Sequence, residues 1–174
     1  MKQFIRFIVQ LVESFLSRGI RFIRISPNNK GKVFFYDKRE KRFFNVLVRE
    51  RIDSMTADQI FTYNDYDLSI LARYSDLIDS YENIRSQNKV PLIIDCGANI
   101  GLSAFYFSKE FPNAKVIAVE PESNNCLMMK KNCDGLGNVE ILNNAIVSSD
   151  GFVSIESKDT ENNSFKTFRN KKNE

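Results

Sequence analysis

Leu92-Ile93-Ile94-Asp95-Cys96-Gly97-Ala98-Asn99-Ile100-Gly101 is the stretch on which the fold turns. Leu92 to Ile94 is a short continuous apolar run, as expected of a strand buried on both faces. A glycine loop, Gly97 to Gly101, follows at once, and Leu102 to Phe111 has the composition of a helix closed by Pro112-Asn113. A chain that turns sharply at the carboxyl end of a strand needs a residue tolerant of unusual backbone angles, and Gly97 supplies it. A ligand lying against bare backbone needs side chains to be absent, while the next helix offers free N–H groups at its start. Asp95 stands at the strand end, where a carboxylate can hold an ammonium group, directly or through backbone and water.

Downstream, Lys115 to Val119 reads as a second buried strand. Pro121 suits a first helical turn and Glu122 to Cys133 reads as the helix. Cys126, Met129 and Cys133 share one face of it at spacings of three and four. Gly135 and Gly137 break the chain, and Val139 to Leu142 is a third strand. The result is βαβαβ, which demands parallel strands with right-handed crossovers. Glu120 ends strand two, nineteen residues after Gly101. An acid there accepts hydrogen bonds from ribose hydroxyls. The plainer reading of Glu120 is an exposed carboxylate stabilised by a helix dipole. Glycine loop and acid together, on consecutive strands, point to a nucleotide-containing cofactor. The G-x-G-x-x-G fingerprint is absent, since Gly97-x-x-x-Gly101 is followed by Ala104. An acid opening the loop sits poorly beside a pyrophosphate and well beside the amino group of a methionine moiety. These features favour S-adenosylmethionine over a nicotinamide dinucleotide, and the phosphate-loop lysine pattern is absent as well.

The run from Leu92 to Leu142, with Ile-Ile-Asp-Cys-Gly-Ala-Asn-Ile-Gly-Leu-Ser, Val-Ile-Ala-Val-Glu-Pro-Glu and Asn-Val-Glu-Ile-Leu, resembles the FkbM family of methyltransferases. A weaker likeness extends to Gln59–Asp67. The resemblance implies a Rossmann-like, class I α/β fold that uses S-adenosylmethionine to O-methylate a sugar, a glycan or another hydroxyl acceptor. It implies that Asp95, Gly97, Asn99 and Gly101 form the first cofactor motif. Glu120 would bind the ribose, and Asn144-Ala145 would lie near the adenine, although asparagines such as Asn143 and Asn144 also populate ordinary turns. No catalytic residue and no metal ligand is assigned. The complete class I sheet runs 3-2-1-4-5-7-6, with strand one central. An acidic motif after strand four, which the family carries, has no counterpart here. The sheet is therefore expected to be incomplete, with strand one an exposed, association-prone edge carrying Leu92, Ile93 and Ile94. Three explanations stand: a truncated gene product, the front part of a longer enzyme, or a chain that completes its sheet with a partner. Positioning a methyl acceptor needs both walls of a cleft, so this chain alone is expected to be a poor catalyst. A non-catalytic interaction module, using the sheet edge and the basic N-terminus, is the alternative; a nicotinamide-dependent oxidoreductase fragment is a third.

The rest of the chain frames this half-domain. At 174 residues there is room for one domain and an extension. Histidine is absent, which removes Ser-His-Asp and Cys-His catalysis and the commonest zinc ligand. Three cysteines without paired spacing argue for packing roles and a reducing, cytoplasmic setting. Thirteen of the 25 Lys/Arg but only four of the 22 Asp/Glu fall within residues 1–51. Residues 1–31 form an amphipathic helix and basic segment. Gln3, Arg6, Gln10, Glu13 and Ser17 make its polar stripe. It reads as a helix packed on the body or, with Arg18, Arg21 and Arg24 as anchors, as a peripheral membrane contact through residues 1–25. It is too short and interrupted for a signal peptide or a span. Residues 32–88 form an accessory region. It holds a hairpin (Val33–Tyr36 and Phe43–Val48 around a charged Asp37–Lys41 loop) and helices at Thr56–Ile60 and Leu68–Tyr81, the second with a core stripe of Leu68, Leu71, Ala72 and Ile78. Residues 89–157 are the cofactor-binding half-domain, including a short strand near Gly151–Glu156, and 158–174 read as a disordered tail. No nucleic-acid partner is expected.

Overall fold

The computed structural model describes residues 2–17, 19–27, 29–149, 153–157 and 165–169. The chain divides into two units, residues 1–89 and 90–174.

In the N-terminal unit, β2 (Gly31–Asp37) and β3 (Arg42–Val48) pair antiparallel from Gly31↔Val48 to Asp37↔Arg42. The sequence pattern explains the pairing. Val33 and Phe35 alternate inward on β2, Val46 and Val48 on β3, and the charged residues fall in the turn. The expected hairpin is present, with strands longer than the apolar runs alone suggest. A third strand, β1 (Phe22–Arg24), pairs with β2 and was not foreseen. Its brevity hides it among arginines. Arg21 and Arg24 are held by carboxylates of the same unit. Arg21 forks onto Asp37 at 3.2 and 2.9 Å. Arg24 meets Asp58 at 2.5 Å and also bonds Asn29, Ser54 and the Ser26 carbonyl. Burial alone would raise the Asp37 carboxyl, but Arg21 and the N–H groups of Glu40 and Arg39 hold it below its ordinary value. The core between sheet and helix is aromatic: Phe22, Phe35 and Phe44 surround Phe61 at centroid distances of 5.1 to 5.5 Å.

The helix α1 (Lys2–Leu16) has its last carbonyls collected by Lys38, whose ammonium donates to Ser14, Phe15 and Ser17. A cation there also complements the helix dipole. The helix α2 (Arg51–Ala57) starts five residues earlier than Thr56. Its start is fixed by buried Asp53, which accepts from the Arg49 backbone and guanidinium. It runs on as a π-helical turn, Asp58–Thr62. The single helix expected over Leu68–Tyr81 is instead a 3-10 turn, Leu68–Ile70, and then α3 (Tyr74–Ser86). Its expected core stripe fails, since Leu71 and Ala72 are exposed and α3 buries no residue. Asp67 draws the chain into the turn by accepting from Ser69 N, which breaks the helical period there.

In the C-terminal unit, β4 (Leu92–Cys96), β5 (Lys115–Val119) and β6 (Val139–Leu142) form a parallel sheet in that order. The helices α4 (Leu102–Glu110) and α5 (Ser123–Asn132) connect them. They contact each other and so share one face of the sheet. Val116 and Ala118 point to that face and are fully buried. Strand one behaves differently from the expected two-sided burial: Leu92 is 55% and Ile94 56% exposed. The cause is position. β4 is the sheet edge, as the incomplete sheet implied, and Leu92 and Ile94 point away from the helix-covered face.

Five residues of the expected disordered tail, 165–169, are ordered. Residues 165–169 form a strand, β8 (Phe165–Arg169), paired antiparallel with β7 (Val153–Ser157). Phe165 and Phe168, the two large apolar residues of that stretch, lie on β8, and the strand rests on a backbone ladder with β7 that composition alone does not reveal. Residues 158–164 and 170–174 lie outside the described residues.

Candidate functional site

The carboxyl ends of β4 and β5 meet at a loop held by one carbonyl. Val119 O accepts from both Gly97 N (2.9 Å) and Ala98 N (3.0 Å), which folds the Asp95–Gly101 segment back over strand two. Gly97 has φ +88°, a conformation that disfavours any side chain, and the space where its Cβ would stand is open. Asn99 also has a left-handed backbone, φ 49°, as short polar residues tolerate. Its side-chain oxygen is buried with no partner among the described residues.

Glu120 is not the exposed carboxylate of the plainer reading. It is 4% exposed, and its two oxygens take three hydrogen bonds. Asn99 N donates to Oε2 at 2.9 Å; Glu122 N and Asn125 Nδ2 donate to Oε1, each at 3.0 Å. Glu120 therefore fastens the glycine loop to the start of α5. Glu122 caps that helix by accepting from Asn124 N and Asn125 N, so Pro121 precedes the helix rather than opening it. A carboxylate has about four acceptor positions. Among the described residues Oε2 takes a single hydrogen bond.

Asp95 is half-buried and accepts from Ser103 Oγ at 2.6 Å. Burial raises its carboxyl above the ordinary value, the Ser103 hydrogen bond opposes this, and the nearby Glu120 charge adds to it. Among the described residues no salt bridge joins either acid to a cation. The site is thus a negative, partly dry corner beside an orphaned amide oxygen.

Gly101 also answers a packing demand that the motif does not reveal. It is buried, and a Cβ there would collide with the Met129 side chain and come within 3.2 Å of Cys133 Sγ. Its bareness serves the packing of α4 on α5. Asn143 donates to the carbonyls of Glu120 (3.0 Å) and Pro121 (2.9 Å), pinning the end of β6 to the end of β5. This brings Asn144, exposed, and Ala145, half-buried, to the same end of the sheet. Cys126 and Cys133 are packing residues, as expected; burial, then the Asp95 charge, pushes the Cys133 thiol up to about 12. Cys96 departs from that reading, being exposed on the edge strand. Sequence reasoning missed the roles of Ser103 and Asn125. Both follow from helix geometry once the loop is placed, since each sits in the first turn of its helix. Two cavities, about 620 Å³ in the N-terminal unit and about 460 Å³ by Lys115 and Glu140, include no residue of the loop.

No family model matches the chain, and no solved structure does. Over 64 residues it is 38% identical to a curated protein of Sordaria araneosa named Methyltransferase sdnD. The match covers 35% of this chain, and spans a quarter of that relative's length.

Proposed function

We propose that the chain carries the cofactor side of an S-adenosylmethionine-dependent methyltransferase of the FkbM type, acting on a hydroxyl of a sugar or glycan. The observation that carries this reading is the pair Asp95 and Glu120: two neighbouring carboxylates at adjacent parallel strand ends, joined to no cation among the described residues. Such a corner repels a pyrophosphate and attracts a cation. S-adenosylmethionine has an ammonium and a sulfonium, and when bound it supplies the electrophilic methyl group. Asp95 would receive the ammonium and lose its desolvation penalty. Glu120 would use its remaining Oε2 position on a ribose hydroxyl. The orphaned Asn99 oxygen would accept a ligand N–H or O–H, Gly97 would leave room for the ligand against its backbone, and Asn144-Ala145 would flank the adenine. Similarity to a methyltransferase over part of the chain supports the same class.

Asp95→Asn is the discriminating variant because it separates fold from binding. A group whose folded pKa is raised stabilises the fold below its unfolded pKa, and that contribution is lost as pH rises through the folded pKa. At neutral pH the ionised Asp95 therefore burdens the empty protein. Asp95→Asn is expected to raise the melting temperature there and to flatten its decline as pH rises from the ordinary carboxylate value to the raised folded value. In calorimetric titration the wild type binds S-adenosylmethionine, and Asp95→Asn weakens it by roughly tenfold to a hundredfold, the worth of one charge-assisted hydrogen bond. Absence of wild-type binding, or displacement by NADH, would overturn the cofactor assignment.

A second reading, association through the sheet edge, has its own observation. Pro91 O and Gly97 N bond to β5. Strand alternation then turns the backbone groups of Leu92, Ile94 and Cys96 outward. This edge carries none of the lysines or bulges that usually block pairing. If the edge self-associates, sedimentation shows a dimer that Ile94→Lys converts to monomer. A wild-type monomer at all concentrations removes this reading.

A further inference from the structure

The helix α1 turns a broad apolar face to solvent. Ile5, Ile8, Val9, Val12, Phe15 and Leu16 are all exposed, and their spacing places them in one stripe along the helix. Phe7, Leu11 and Ser14 instead line the cavity beneath it. Glu13 lies off the stripe. The apolar surface continues past the helix end. Phe15 stacks on Tyr36 at 5.8 Å, and Tyr36 packs on Phe43 at 4.9 Å. Phe43 is 66% exposed, and Phe34 on the same sheet face is exposed too. Next to Phe43 stands the β2–β3 turn with exposed Arg39, Lys41 and Arg42 against a single acid, Glu40. Lys38 of the same turn is bonded to the last carbonyls of α1, so the basic turn is fixed at the end of the apolar stripe.

From this arrangement we infer that the outer face of α1, with Phe43 and the basic turn, docks on an anionic lipid bilayer. Contiguous exposed apolar patches are uncommon on free monomers and mark interaction surfaces. Charge complementarity selects the occupant. An apolar helix face with a cluster of cations at one end suits acyl chains below and phosphates above. Among the described residues no helix is long and apolar enough to cross a membrane, so α1 lies in the interface plane. The cations differ from those the sequence suggested. Arg21 and Arg24 are committed to Asp37 and Asp58, and the turn takes their place.

Flotation of the full chain with vesicles tests this. Vesicles of equal phosphatidylcholine and phosphatidylserine should carry the wild type upward; pure phosphatidylcholine should carry far less. Val9→Glu/Val12→Glu, at exposed positions that leave the core intact, should lower the binding at least about tenfold. Lys41→Glu/Arg42→Glu should remove the preference for the anionic vesicles, by roughly fivefold per cation lost. Circular dichroism and an unchanged melting temperature establish that each variant folds. Failure of the wild type to float, or undiminished flotation of Val9→Glu/Val12→Glu, overturns the inference. So does a soluble dimer that Val9→Glu/Val12→Glu dissociates, since the face then belongs to a second copy. Cofactor titration of the same variants should be unchanged, which keeps this result apart from the cofactor reading.

Discussion

Gly101→Ala is expected to destabilise the C-terminal unit by about 2–5 kcal/mol, enough to unfold much of it, given that whole domains are stable by only about 5–15 kcal/mol. Two costs add. Gly101 has φ +85°, and an L-residue there costs about 1–2 kcal/mol. The added Cβ would also overlap Met129 Cγ and stand 3.1 Å from Met129 Cβ. Met129 is fully buried, so it cannot swing into solvent to make room. Overpacking of this kind costs about 1–3 kcal/mol. Urea unfolding measures the sum. Adding Met129→Ala should return part of the loss by relieving the overlap, while the backbone cost stays. Near-wild-type stability of Gly101→Ala would show that α4 and α5 are not in close contact at this point, and would return Gly101 to the ligand-contact role that the motif suggests.

The second large effect is expected at Glu120. In Glu120→Ala three donors, Asn99 N, Glu122 N and Asn125 Nδ2, lose their acceptor at once. Each buried donor left unsatisfied costs about 1–3 kcal/mol, and water entering the space offsets part of that, so a loss of about 3–5 kcal/mol is expected. Glu120→Gln keeps one acceptor oxygen and should fall between. Hydrogen exchange at the Asn99 and Glu122 amides should accelerate in Glu120→Ala well before global unfolding. A loss under about 1 kcal/mol with unchanged exchange would mean that the loop is held by other contacts, chiefly Val119 O. Loss of cofactor binding in Glu120→Ala would not by itself identify a ribose ligand, because the same carboxylate builds the loop. Asp95 has one hydrogen bond to the fold, from Ser103 Oγ, and an amide oxygen can still accept it, which is why Asp95→Asn is the cleaner probe of binding.

The βαβαβ order was legible from residues because its signals are local. Short apolar runs, a glycine loop, and breaks at Pro112-Asn113, Gly135 and Gly137 each act within a few residues. The same holds for the β2–β3 hairpin, whose alternation and charged turn are read directly. The reading failed where long-range partners override local pattern. β1 is three residues long and exists because β2 offers it a ladder. Arg21 and Arg24 looked like surface cations until Asp37 and Asp58, sixteen and thirty-four residues away, came to meet them. The stripe from Leu68 to Ile78 was interrupted by the Asp67 turn. β8 needed β7 to make a strand of a polar tail.

The sequence by itself determined the type of the C-terminal unit and the positions of its two acids, because strand, loop and helix propensities there agree with one another. Only the tertiary structure decided what those residues do in the folded chain. It turned Glu120 inward as the tie between loop and helix, and left Asp95 half-buried with no cation paired to it among the described residues. It set Gly101 against Met129 where a Cβ has no room, and set the broad face of α1 outward beside a basic turn. The reason is that burial and pairing depend on groups far apart in sequence, which spacing and composition do not bring together.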